Sequence, residues 1–158
     1  MADMDFKTKS DREIDTWIRN HEIAEKTGEP LYRKLLEERA RRSQSKHKLD
    51  FDKSLNHLMD AAKEQRCTSY GDLAAASGVD WSKARHQMNG QDGHLDRLLD
   101  LCHARGLPLL TAICVNQGNL DDGELGEAAL AGFVAGARRL GLPVTNARDF
   151  HHQCRQEC

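Results

Sequence analysis

Net charge is almost missing from this chain, and so is any long apolar run. The 158 residues hold 23 Lys and Arg against 25 Asp and Glu, a formal charge of −2. Such a balance gives no overall attraction to a polyanion. No segment approaches the roughly 20 apolar residues that a membrane-spanning helix needs, so no membrane partner is expected. The opening "MADMDFKTKSDREID" has no apolar stretch and no cleavage-like site, and no signal peptide is expected. The five cysteines (Cys67, Cys102, Cys114, Cys154 and Cys158) lack a framework spacing. Their odd number speaks against a disulfide scaffold and for reduced thiols in a cytoplasmic protein. There is no internal repeat and no low-complexity tract.

What is present is polar and unevenly charged. Hydrophobic residues make up 39% and charged residues 30% of the chain, so part of it is expected to lie outside the core. Between Arg33 and Lys48 the local balance is +5, and from Leu107 onwards it is −2. A neutral protein with a basic segment can still hold a phosphate backbone locally.

The spacing predicts a mainly α fold (α+β). Ser10 with Glu13 forms a capping box, and Ile14, Trp17, Ile18 and His21 follow on one helical face. Gly28 is expected to end this helix and Pro30 to start the next. That second helix shows only a thin stripe of Leu31, Leu35 and Leu36 among charges. Residues 1–48 are therefore expected to be an N-terminal helical arm with a polar linker. Residues 49–106 are expected to form the core. Phe51, Leu55, Leu58, Met59 and Ala62 make an amphipathic stripe. Ser69 caps a second core helix, Gly78 stops it, Asp80 caps a third, and Gly90 ends that one. Leu95, Leu98, Leu99 and Cys102 face inward on a fourth, which Gly106 stops. Residues 107–158 are expected to be a small α/β extension packed on the core. In it "LPLLTAICVN" reads as a buried strand, "GLPVTN" as a second short strand and "ARDFHHQC" as a last helix.

The segment "TSYGDLAAASGVDWSKARHQMNG" carries the functional reading. Small residues at Ala74 to Ala76, a glycine turn and an amide-bearing second helix are the parts of a helix–turn–helix unit. On a helical wheel Trp81, Ala84 and Met88 share the inward side. Ser82, Lys83, His86 and Asn89 point outward, with Arg85 and Gln87 at the edges. Those outward types contact bases and phosphates. The same face on a packed hairpin would simply be solvated. The phrase Ser69, Tyr70, Gly71, Leu73, Ala74 resembles the helix–turn–helix opening of the winged-helix domain in O6-alkylguanine-DNA alkyltransferases and alkyltransferase-like proteins. The resemblance implies a tyrosine near the DNA backbone and a second helix in the minor groove. The family's reactive Pro-Cys-His-Arg motif is absent. "LCHARG" (Cys102, His103, Arg105) and "TAICVNQG" (Cys114) do not match it, so the resemblance extends to the fold segment and not to alkyl transfer.

No catalytic group, cofactor or metal is expected. Cys102 and His103 are adjacent, and neighbouring helical side chains diverge by about 100°. Asp121, Asp122, Glu124 and Glu127 suit the positive end of a helix as well as they suit Mg²⁺. His151, Cys154 and Cys158 share a helical face, but no second ligand pair accompanies them, and a frayed end is expected. The expected function is a non-enzymatic DNA-binding or regulatory protein. Tyr70, Ser82, Lys83, Arg85, His86 and Asn89 would form the interface, and Arg39, Arg41 and Arg42 would add backbone affinity. The alternatives are a protein-interaction module, docking a partner or a second copy through the arm, and an enzyme acting on nucleic acid.

Overall fold

The helix at His94–Ala104 is buried on nearly every side. His94, Arg97, Leu98, Leu99, Asp100, Leu101 and Cys102 are all inaccessible. A helix buried well beyond the usual single stripe belongs at the centre of a fold. The computed structural model describes residues 6, 8–44, 48–88 and 93–158. Among them the α-helices are α1 (Asp11–Ile23), α2 (Pro30–Gln44), α3 (Phe51–Lys63), α4 (Tyr70–Ala76), α5 (Trp81–Met88), α6 (His94–Ala104), α7 (Glu127–Arg139) and α8 (Ala147–Glu157). The fold is mainly helical. Helix α6 packs against α2, α3, α5 and α7.

Local signals set most of the boundaries. Ser10 and Glu13 make both bonds of the capping box, at 3.1 and 3.2 Å. Helix α1 stops at Ile23, before Gly28, and Glu25 takes the left-handed conformation with φ +58°. Pro30 opens α2. Asp50 caps α3 by accepting the Lys53 amide at 2.9 Å.

Helices α1 and α2 are not an arm. Tyr32, Leu35, Leu36 and Ala40 of α2 are buried against α6, and Ile14 and Ile18 of α1 are buried against α2. Complete burial contributes about 1.5–3 kcal/mol for each large apolar side chain. A stripe that looks thin among charges is wide enough because those charges are themselves paired inside the fold. Arg39 donates to Asp100 at 2.7 Å, and Tyr32 donates its hydroxyl to Glu22 at 2.8 Å.

The run "LPLLTAICVN" is also not one strand. Leu110–Ile113 form a 3₁₀ turn, and the strand is confined to Cys114–Val115 (β2). They pair in parallel with Thr68–Ser69 (β1), in the register Thr68 to Cys114 and Ser69 to Val115. The segment packs on α3, α6 and α8, so its residues are apolar whichever backbone they adopt. "GLPVTN" is a turn and extended connection without a strand. The C-terminal helix is packed, not frayed: His151 and Cys154 are buried, and Phe150 lies 5.8 Å from Phe133.

Candidate nucleic-acid interface

Helices α4 and α5 form a tight hairpin. Ser69 accepts the Asp72 amide at 3.1 Å and starts α4. Gly78, at φ +74°, turns the chain, a conformation that side chains with a Cβ rarely adopt. The Asp80 carbonyl then accepts the Lys83 and Ala84 amides at 3.0 and 2.9 Å. Leu73 and Ala74 of α4, with Ala84 and Met88 of α5, are buried, and the pair packs on α3 and α6. The sheet is parallel, and no antiparallel wing follows α5 among the described residues.

Ser82, Lys83, Arg85 and His86 are all exposed on α5, as the wheel predicts. None of the four side chains has an intramolecular hydrogen bond or ion pair among the described residues. Between Ser77 and Met88 the only carboxylate is Asp80. Asn89 and the expected helix stop at Gly90 lie outside the described residues.

Trp81 departs from expectation. It is 39% exposed rather than inward. Its ring stacks on Tyr70, with centroids 6.2 Å apart and planes 15° from parallel. Tyr70 itself is buried, and burial pushes its hydroxyl up to about 12. The tyrosine therefore supports the indole and offers little surface of its own to a backbone phosphate.

The arginines of α2 are engaged elsewhere. Arg39 is only 14% exposed, bound to Asp100 and 3.6 Å from Asp15. Arg41 and Arg42 both grip Glu38 at 2.6 Å, and Arg42 also reaches Asp11 at 3.0 Å. The hydrogen bond from Arg41, with Arg42 behind it, holds Glu38 below the ordinary carboxylate range. Glu38 and Arg42, four apart on α2, are paired. Glu37 and Arg41, at the same spacing, are not, and Arg105 takes Glu37 with bonds of 2.9 and 3.0 Å. Glu37, Glu38, Arg41 and Arg105 line an open groove of about 870 Å³ between α2, the start of α3 and the end of α6. An arginine held in such a pair has part of its donor fork occupied and offers fewer N–H groups to a phosphate.

Sequence reasoning missed a charged cluster in the core. Arg39, Arg97 and Arg139 converge on the fully buried Asp100. Burial opposes the Arg139 charge, but Asp100, Asp96 and Glu22 outweigh it and hold the guanidinium above its usual range. The signal was available: Asp96, Arg97 and Asp100 interrupt an apolar helix.

The remaining candidate chemistry comes apart in space. Burial pushes the Cys102 thiol up to about 11, while His103 bonds the Thr27 carbonyl at 2.8 Å. Burial likewise raises Cys154 to about 11 and Cys158 to about 12. Glu124 is taken up by Arg148 and Arg155, each at 3.2 Å, and Asp122 accepts the Glu124 amide at 2.9 Å. Among the described residues no three His, Cys, Asp or Glu are placed to hold a metal ion, and no helix is long and apolar enough to cross a membrane. No family model, curated protein or solved structure matches this chain.

Proposed function

We propose that this chain is a non-enzymatic DNA-binding or regulatory protein. Helices α4 and α5 act as its helix–turn–helix unit, and α5 lays its outer face in a groove. One observation carries the reading: Lys83, Arg85 and His86 are exposed and unengaged among the described residues, whereas Arg39, Arg41 and Arg42 are held by carboxylates. Unengaged cations neutralise phosphates and release counterions without first breaking a bond inside the protein. Arg85 and Lys83 supply that attraction. Ser82 and His86, between them on the exposed face, are the base-edge contacts. The local resemblance of Ser69 to Ala74 supports the same placement of the unit. The α2 arginines have no part in it, and Leu35 and Leu36 of the α2 stripe are buried in the fold.

Selection from a random duplex pool tests this reading. Wild type is expected to enrich a single motif. His86→Ala and Ser82→Ala are expected to relax preference within that motif, each by about 1–3 kcal/mol, with unchanged thermal midpoints. A pool that emerges unenriched and unretained at low salt would rule the reading out.

A further inference from the structure

We propose that Trp81, backed by Tyr70, is a stacking platform for an unpaired base, so that the bound nucleic acid has a single-stranded segment where it meets the start of α5. The inference rests on the nucleic-acid reading above and narrows its substrate class. Trp81 and Ile23 are the exposed large hydrophobic residues among those described, and Trp81 alone of the two is a flat ring with another ring beneath it. The support is fixed: Tyr70 opens α4, is buried and cannot swing away without leaving the core. Arg85 lies one turn beyond Trp81, and side chains four apart share an edge of a helix. A base laid on the indole would therefore have its phosphate near an unengaged guanidinium.

The geometry selects an unpaired base over a paired one. Inside a duplex the faces of each base are covered by its neighbours, and only edges reach the grooves. An exposed indole finds a stacking partner only where a base has a free face, at an end or in a single strand. The charge beside the ring fits the same ligand. Asp80 precedes Trp81, and the cations Lys83 and Arg85 follow it, which places the phosphates along α5 and away from the turn.

The test uses the full chain with Trp17→Phe, which leaves Trp81 as the only indole. Its fluorescence is titrated with three probes: a covalently closed circular DNA duplex, which has no end and no loop, a hairpin carrying an unpaired thymidine tail, and a thymidine oligonucleotide. Quenching is expected with the tailed hairpin and the oligonucleotide, and not with the circular duplex. Affinity for the tailed hairpin, followed by anisotropy, is expected to fall about tenfold in Trp81→Ala. Trp81→Phe, which keeps a ring on Tyr70, should recover most of it, and this separates stacking from loss of folding. Equal affinity for the circular duplex and the tailed hairpin, unchanged in Trp81→Ala, would overturn the platform and leave the groove reading standing. Failure of all three probes to bind at low salt would overturn both.

Discussion

Arg39 of α2 donates to Asp100 of α6 at 2.7 Å, and the carboxylate it reaches is fully buried. The bond ties the N-terminal helices to the central one and removes Arg39 from the surface. Asp100 also faces Arg97 and Arg139. Without its charge, three guanidinium groups would crowd together in a poorly solvated site. Asp100→Asn is therefore expected to lower the unfolding free energy by about 3–5 kcal/mol. Arg41→Ala should leave the urea midpoint where it is, since Arg41 is 67% exposed and its pair with Glu38 is solvated. Equal midpoints for wild type and both variants would show that the buried cluster does not hold the helices together.

Two glycines of α7 should respond in opposite directions. A Cβ at Gly132 meets nothing within 4 Å, so Gly132→Ala is expected to stabilise by roughly 0.5–1 kcal/mol through helix propensity. A Cβ at Gly136 would stand 2.5 Å from Cδ2 of Leu99, a buried core side chain, and 3.2 Å from an Asp96 oxygen. Overpacking of this kind typically costs about 1–3 kcal/mol, more than the propensity gain. Gly136→Ala is expected to melt lower than wild type. A higher midpoint would mean that α6 and α7 are less tightly apposed than described.

His151 gives stability a pH dependence. It is buried, donates Nε2–H to the Ala112 carbonyl at 2.8 Å, and leaves Nδ1 without a hydrogen-bond partner among the described residues. Burial, with Arg155 and Arg148 nearby, holds its pKa below the ordinary value of 6.5. As pH falls through that value the unfolded chain takes up the proton first, so protonation favours unfolding. The contribution is fully present above pH 6.5 and is lost as pH drops towards the depressed folded value. His151→Gln keeps a donor for Ala112 but does not titrate. Its unfolding free energy should therefore change less than that of wild type between pH 7 and roughly pH 5. Parallel pH profiles for the two proteins would refute this role.

The hairpin and the caps were legible because their causes are local. Ser10, Ser69 and Gly78 act within a few residues, and the inward and outward sides of α5 follow from its period. Trp81 was misplaced because its position on the wheel borders both sides, and only the Tyr70 ring beneath decides how much of it stays open. The pairing of the α2 arginines was not legible because their partners Asp100, Asp11 and Asp15 come from other helices. A local charge balance counts cations without showing which are already paired. The segment after Pro108 failed for a related reason: an apolar run records burial, and burial is compatible with a 3₁₀ turn as well as a strand.

The central claim is that α5, and not α2, holds the phosphate backbone. Its most direct test is the affinity for one DNA duplex measured across a range of salt concentrations. Each phosphate contact contributes about 0.9 to the slope of log affinity against log salt. The Lys83→Ala, Arg85→Ala double variant is expected to bind more weakly and to lose about 1.8 from that slope. The Arg41→Ala, Arg42→Ala double variant should match wild type in both affinity and slope. The reverse pattern, with the α2 variant losing slope and the α5 variant keeping it, would contradict the account.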